Sequence, residues 1–184
     1  KFINCTFANN SGGSGIYLLV DTKVYLINTI LSNNTPSELR ILYEPGQAIS
    51  KAYLSFCNIH PNGFSGYIEG VNLLEGNLNT DPLFVQTGDH PYMLLNESPC
   101  VNTGSPDTTG LMLPAQDLAD NERIYGNRID MGAYENQVVY VNIDEPLSNV
   151  NVQIFPNPAS NHITITNPDY HIQLHNLSGQ LILT

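Results

Sequence analysis

The sequence predicts an all-β protein in which short strands recur in one direction, as they do in a parallel β-helix. Two observations predict this fold: the composition, and an internal repeat with the period of a strand. Charged residues make up 12% of the chain, about half of the usual share, and Asn, Ser, Thr and Gly take their place. These residues disfavour helix and suit strands joined by tight turns. Apolar residues make up 41%, which is enough for a packed core.

Three segments carry the repeat, and they read INCTFANN at 3–10, INTILSNN at 27–34 and SFCNIHPN at 55–62. Within each segment apolar and polar residues alternate, which predicts a strand with one buried face. Strands that return every 20 to 30 residues or so, with no helical segment between them, predict stacked coils that bury one another's apolar faces. The repeat therefore favours a parallel β-helix.

The matched positions also predict which side chains stack between coils that lie about 4.8 Å apart. We expect two inward columns, namely Cys5 with Thr29 and Cys57, and Phe7 with Leu31 and Ile59. An antiparallel sandwich is the alternative, and it requires a hairpin turn about every 8 to 12 residues. Asn-Gly at 62–63 is one such signal, but the matched columns favour the parallel arrangement.

Each repeat closes on an asparagine: Asn10, Asn34 and Asn62. Asparagine tolerates a left-handed backbone, and its amide can bond an identical amide one coil away. These three residues are therefore predicted to form the corners of the coils.

The chain is acidic, with a net charge of −11 from 17 acidic and 6 basic residues. Nucleic acid is therefore a poor partner, because an acidic chain repels phosphate. No apolar run approaches the roughly 18 residues of a transmembrane helix. The chain starts in mid-pattern at Lys1 without an initiator methionine, so we expect it to begin inside a longer protein.

The cysteines Cys5, Cys57 and Cys100 lack CxxC spacing and predict free thiols, neither a disulfide framework nor a zinc site. We expect no cofactor and no metal. Calcium is the one ion with candidate ligands, Asp117 and Asp120, because oxygen ligands at alternating positions suit it. The segment around them lacks the glycine and the distal glutamate of a calcium loop.

Three motifs between residues 77 and 135 resemble a known group of proteins. They are NLNTDPLF at 77–84, SPCVNTG at 98–104 and DLADNERIYGNRIDMGAYE at 117–135. In this order they resemble the C-terminal end of bacterial right-handed β-helix surface proteins that carry a choice-of-anchor region. The resemblance covers residues 1–135. It implies a pectate-lyase-like solenoid on an exported protein, ending in a C-terminal cap.

Residues 136–150 are predicted to be a linker, and residues 151–184 an incomplete second domain. The second domain resembles the type A C-terminal sorting domain of the type IX secretion system of Bacteroidota. The matching positions are Phe155, Pro156, Asn157, Pro158, Ile163, Ile165, Leu174, Asn176, Leu177, Gly179 and Gln180. The resemblance implies a small immunoglobulin-like β-sandwich, the type IX machinery as a partner, and secretion or attachment to the outer surface of a Gram-negative bacterium. An ordinary immunoglobulin-like module is the alternative.

Parallel β-helices often act on polysaccharides, through acids that hold calcium or through paired carboxylates. No acidic pair lies on adjacent aligned strands here, so we expect no catalytic residue in this chain. The candidate sugar-stacking side chains are Tyr17, Tyr25, Tyr43 and Tyr53. Two functions stay open: a non-catalytic surface protein whose solenoid binds a glycan or another surface, and a polysaccharide lyase or glycoside hydrolase whose catalytic coils lie upstream of Lys1.

Overall fold

A computed structural model describes residues 1–59 and 63–138 with their side chains, and beyond them the backbone of four short strands. The chain divides into two compact units, Lys1–Tyr140 and Val141–Thr184. Each unit is described by itself. In the described residues all regular structure is strand, apart from one 3-10 turn at Ile68–Gly70.

The described residues of the first unit contain ten short strands. They are β1 (Phe2–Ile3), β2 (Thr6–Ala8), β3 (Ile16–Leu18), β4 (Lys23–Ile27), β5 (Ile30–Ser32), β6 (Leu39–Ile41), β7 (Lys51–Ser55), β8 (Asn58–Ile59), β9 (Phe64–Gly66) and β10 (Val71–Leu73).

These strands form three parallel sheets that the chain visits in the same order on every pass. Sheet I has the order β1-β4-β7-β10, sheet II the order β2-β5-β8 and sheet III the order β3-β6-β9. One pass through the three sheets is called a coil below. All pairings within these sheets are parallel. The antiparallel alternative is therefore wrong for this unit, and the prediction of an all-β fold with parallel strands is confirmed.

The register of the strands follows the sequence repeat. Phe7 pairs with Leu31, and Leu31 pairs with Ile59. Thr29 lies between β4 and β5, and its carbonyl accepts a hydrogen bond from Asn58 N–H at 3.0 Å. Residues that match in the repeat are therefore neighbours in the hydrogen-bonded ladder.

Each repeat consists of two strands, whereas the alternation of apolar and polar residues in the sequence predicts a single strand. The break falls at Asn4, Asn28 and Phe56, whose φ angles are 49°, 51° and 51°. A left-handed residue turns the chain from sheet I to sheet II. As a result Ile3 and Ile27 are only half-buried and lie outside the buried core.

The column of Cys5, Thr29 and Cys57 follows this break directly and repeats one local contact. The side chain of each residue donates to the carbonyl oxygen two residues earlier, at 3.3 Å, 3.0 Å and 3.3 Å. The three cysteines are free thiols, as predicted. Burial raises the pKa of Cys57 to about 12 and that of Cys100 to about 11, so both stay protonated.

The core between the three sheets consists of stacked aliphatic side chains. Its buried members are Ile16, Leu18, Val24, Leu26, Leu31, Leu39, Ile41, Ala52, Leu54, Cys57 and Ile59. Asparagine pairs brace the corners: Asn10 Nδ2 donates to Asn34 Oδ1 at 2.7 Å, and Asn28 Nδ2 to Asn4 Oδ1 at 3.1 Å. The predicted amide ladder is confirmed for Asn10 and Asn34, whereas Asn62 lies outside the described residues.

Residues 77–138, called the cover segment below, pack on the outer face of sheet II. The segment first extends that sheet through a parallel bridge between Asn58 and Leu78. It then runs back past the earlier coils, where Asn4 Nδ2 donates to the carbonyl of Asp130 at 2.9 Å and Ala133 N–H donates to Thr6 Oγ1 at 3.0 Å.

The cover segment therefore lies mainly along one side of the coils. The sequence predicts instead a cap over the end of the coils. The reason is the outward side chain of Ile30, which sheet II leaves uncovered. It joins a second buried cluster with residues from the cover segment, and that cluster contains Ile30, Phe56, Phe84, Leu94, Cys100, Val101 and Met131. Burial of this second apolar layer holds the segment in place.

The described backbone of the second unit forms two antiparallel strand pairs. Gln153–Phe155 pairs with Thr164–Thr166, and Leu174–His175 pairs with Leu181–Leu183. The predicted sorting-signal residue Phe155 lies in the first pair. The remaining ones, Pro156, Asn157, Pro158, Asn176, Leu177, Gly179 and Gln180, lie outside the described residues.

Candidate functional site: a tyrosine and lysine face

The outer face of sheet I carries a stacked pair of tyrosines. Tyr25 on β4 is directly in register with Tyr53 on β7. Their ring centroids lie 4.9 Å apart, and the ring planes differ by 12°. Adjacent in-register strands are about 4.8 Å apart, so identical outward rings stack without adjustment of the backbone. The exposed fraction of Tyr25 is 47%, whereas Tyr53 is half-buried.

Two lysines stand beside the tyrosines on the same face. Lys23 and Lys51 are paired in register, two residues before Tyr25 and Tyr53 on the same strands. Both lysines are exposed. Arg123 and Glu135 form the one ion pair in the described part of the chain, so neither lysine has a carboxylate partner there. The pair concentrates positive charge at one place on an otherwise acidic protein. Such like charges opposite one another destabilise a sheet.

The structure brings together only two of the four tyrosines that the sequence singles out. Tyr17 lies on sheet III, where the Arg40 guanidinium lies 5.5 Å from the centre of its ring. Tyr43 follows β6 and stacks on Tyr67 at 4.8 Å. The predicted tyrosines therefore fall into three groups on different elements. Tyr25 and Tyr53, with Lys23 and Lys51, form the group called the tyrosine–lysine face below.

Sequence reasoning missed the lysines. The signal was present, because Lys23 and Lys51 have the same separation in the sequence as Tyr25 and Tyr53, so both pairs occupy equivalent positions of successive coils. It also missed Tyr67, because no aligned segment contains that residue.

The cover segment holds a second concentration of chemistry-bearing groups, three buried acids. Asp130 Oδ1 accepts from Asn102 N–H, and Asp130 Oδ2 accepts from Asn136 N–H, both at 2.6 Å. Glu135 Oε2 accepts from the Arg123 guanidinium at 3.2 Å. These bonds join residues that are 28, 6 and 12 positions apart in the sequence.

Asp117, one of the two predicted calcium candidates, also binds the backbone. Its Oδ1 accepts from Ala119 N–H at 2.8 Å and Asn121 N–H at 2.9 Å, and its Oδ2 accepts from Glu135 N–H at 2.8 Å. Burial pushes the pKa of Asp117 up, but these hydrogen bonds outweigh it, so the pKa lies below its usual value. The other candidate, Asp120, has a φ of 61° in the same turn. The described residues contain no group of three or more His, Cys, Asp or Glu that could hold a metal ion.

Burial raises the pKa of Asp130 to about 6 and that of Glu135 to about 7, and the negative charge of Asp130 adds to the effect on Glu135. Raised carboxyl pKa values often mark a general acid. Here both residues have an exposed fraction of 0%, and their oxygens already accept hydrogen bonds from the chain. The arrangement therefore organises the fold and offers no substrate access.

These pKa values predict how stability depends on pH. Asp130 and Glu135 hold protons in the folded state that the unfolded state loses above about pH 4. Their contribution is therefore fully present below about pH 4 and is lost as pH rises through 6 and 7 or so. We expect the free energy of unfolding to fall by roughly 3 kcal/mol between about pH 5 and about pH 8. Urea denaturation at the two pH values measures this change.

Surface repulsion also grows with pH in an acidic chain, so the experiment is repeated in about 1 M salt, where the Debye length is about 3 Å. Salt screens surface charges but leaves buried carboxyls unaffected. A pH dependence that vanished in salt would contradict the assignment to Asp130 and Glu135.

Comparison with protein-family models, with curated proteins and with solved structures finds no match in any of the three. In the part of the chain that the structure describes, no helix has the length and hydrophobicity that a membrane span requires.

Proposed function

We propose that this chain is part of an exported, non-catalytic parallel β-helix protein whose tyrosine–lysine face binds a glycan. The three parallel sheets, visited in the same order on each coil, support a right-handed solenoid of the pectate-lyase type. The observation that carries the binding proposal is the in-register stack of the exposed Tyr25 on the half-buried Tyr53. Coils of this kind extend a binding surface along the axis of the solenoid.

The chemistry of this face favours an anionic glycan. The apolar face of a sugar ring packs on an aromatic ring, and a tyrosine has a polar tip that can bond its hydroxyl groups. Lys23 and Lys51 lie two residues away on the same strands and the same face, so each ammonium can reach a carboxylate or sulfate on a sugar that is packed against the rings. The net charge of −11 disfavours anion binding over most of the remaining surface.

The exchange of both Tyr25 and Tyr53 for alanine is expected to weaken binding of an oligogalacturonate about tenfold or more, because both stacking surfaces are lost. Isothermal titration calorimetry measures the change. Tyr43→Ala is the matched control, because it removes one ring of a different stacked pair. Equal affinity of the double variant and the control would contradict the proposal.

The charge of the ligand is tested on the same face. The methyl ester of the oligogalacturonate has the same sugar rings without the charge. We expect Lys23→Gln combined with Lys51→Gln to remove the preference for the acid over the ester and to reduce the salt dependence of binding.

The export part of the proposal rests on the second unit. Its two antiparallel strand pairs support a small β-sandwich, and the motifs at 155–158 and 176–180 support its assignment as a type IX sorting signal. The type IX machinery is then the partner, and the location is the outer surface or the medium of a Gram-negative bacterium.

Deletion of everything after Asn151 from the complete protein in its host is expected to leave that protein in the periplasm. Fractionation and surface proteolysis locate the protein, and a periplasmic enzyme reports on leakage. Normal arrival of the truncated protein at the surface would remove the sorting proposal without affecting the binding proposal.

A further inference from the structure

A cleft of about 310 Å³ lies between the coils and the cover segment, away from the residues of the tyrosine–lysine face. It is lined by Asn9, Asn33, Phe84, Gln86, Pro91 and Tyr92. Asn9 follows β2 and Asn33 follows β5, so these two residues stand at the same corner of successive coils. The other four residues come from a hairpin-like loop of the cover segment.

The loop side of the cleft is held firmly. Phe84 forms an antiparallel bridge with Leu94, and Gln86 N–H donates to the carbonyl of Pro91 at 2.8 Å. Phe84 and Tyr92 meet edge to face at 5.5 Å and pack in or against the second buried cluster. The aromatic wall of the cleft is therefore already formed in the absence of a ligand, as is usual for small-molecule sites.

The asparagines of this cleft differ from the other corner asparagines. The pairs Asn4–Asn28 and Asn10–Asn34 are closed by amide-to-amide hydrogen bonds. Asn9 instead donates to the Tyr92 hydroxyl at 3.4 Å. Asn33 and Gln86 are exposed, and in the described residues neither side-chain amide has a hydrogen-bond partner in the protein. The amide-to-amide ladder that accounts for the other corner asparagines therefore does not account for Asn9 and Asn33.

The backbone at the cleft includes one uncommon conformation. Asn9, Asn33 and Gln86 have φ angles of 57°, 58° and 66°. Asn9 and Asn33 thereby share the left-handed turn that Asn4 and Asn28 adopt elsewhere in the coils. Gln86 stands out, because glutamine adopts this region seldom.

We propose that this cleft binds an uncharged pyranose ring of a glycan. A primary amide offers a donor and an acceptor side by side, and neighbouring sugar hydroxyls present the complementary pair. Tyr92, Pro91 and Phe84 supply an apolar wall for the C–H face of the ring. No residue that lines the cleft carries a charge at neutral pH, so nothing there compensates the desolvation of an anion. The site is separate from the tyrosine–lysine face, and neither proposal depends on the other.

The test removes the two unpaired amides without straining the backbone. Asn33→Gly and Gln86→Gly suit this purpose, because glycine adopts a positive φ readily. Met112→Gly is the matched control, since Met112 has a φ of 56°, is 94% exposed and lies outside the cleft. Thermal unfolding checks that all variants fold.

The full chain is titrated with cellohexaose, mannohexaose and xylohexaose, by calorimetry and by saturation-transfer NMR. We expect saturable binding of at least one of these neutral sugars, a weakening of about tenfold in the Asn33→Gly, Gln86→Gly double variant, and no change in the Met112→Gly control or in the Tyr25→Ala, Tyr53→Ala variant. The absence of binding to all three sugars would overturn the proposal. Binding that is lost in the tyrosine variant but kept in the glycine double variant would also overturn it.

Discussion

At about pH 8, where the Glu135 carboxyl is ionised, Glu135→Ala is expected to lower the free energy of unfolding of the first unit by about 3–5 kcal/mol, the cost of breaking a buried ion pair. The Arg123 guanidinium is 4% exposed and bonds Glu135 at 3.2 Å, so removal of the glutamate leaves a buried charge. In the native protein Asp130 N–H and Tyr125 N–H each donate to a Glu135 oxygen at 3.1 Å. Both backbone donors lose their acceptor in the variant. Urea denaturation followed by circular dichroism measures the loss.

The matched control for this change is Glu122→Ala, an exposed glutamate of the same segment. We expect it to change stability by no more than about 0.5 kcal/mol. Combining Glu135→Ala with Arg123→Met removes the unpaired charge and should recover part of the loss. If Glu135→Ala cost no more than Glu122→Ala, the buried acids would not be what organises the inside of the cover segment.

The repeat predicts the parallel register because a ladder of hydrogen bonds has to place equivalent positions of successive coils side by side. That is why Phe7, Leu31 and Ile59 stand in one row. The break inside each repeat was beyond prediction. At its third occurrence the left-handed residue is Phe56, a side chain that carries no signal for a positive φ.

The position of the cover segment could not be predicted, because its decisive contacts are remote in the sequence. Asn4 bonds the carbonyl of Asp130 across a separation of 126 residues. Periodicity reports only on neighbours and on equivalent positions of a repeat. Ile30 was visible as an apolar residue, but alternation alone does not say that its outward face meets Met131 and Cys100.

At the candidate site, too, the sequence repeat predicted some contacts and not others. Tyr25 and Tyr53 are aligned by the repeat, and the structure stacks them. Tyr17 meets Arg40, and Tyr43 stacks on Tyr67, a residue that the repeat does not align with it. The alignment of identical side chains thus predicted the Tyr25–Tyr53 pair, and the same alignment was available for the lysine pair.

Asn28→Ala is expected to destabilise the first unit by about 3–4 kcal/mol, through lost hydrogen bonds and backbone strain. Asn28 is fully buried. Its Nδ2 donates to Asn4 Oδ1 at 3.1 Å, and its Oδ1 accepts from Ser105 N–H at 2.7 Å, so the side chain joins two coils to the cover segment. Alanine satisfies neither group and fits poorly at a φ of 51°.

Two further variants separate these causes. Asn28→Gly loses the same hydrogen bonds but tolerates the backbone, so it should be about 1 kcal/mol less harmful than Asn28→Ala. Asn33→Ala carries the strain alone, because Asn33 has a φ of 58°, is exposed and has no side-chain partner in the described residues. We expect it to cost about 1 kcal/mol. Equal losses for Asn28→Ala and Asn33→Ala in urea denaturation would show that strain alone matters, and that the amide contacts of Asn28 do not hold the cover segment to the coils.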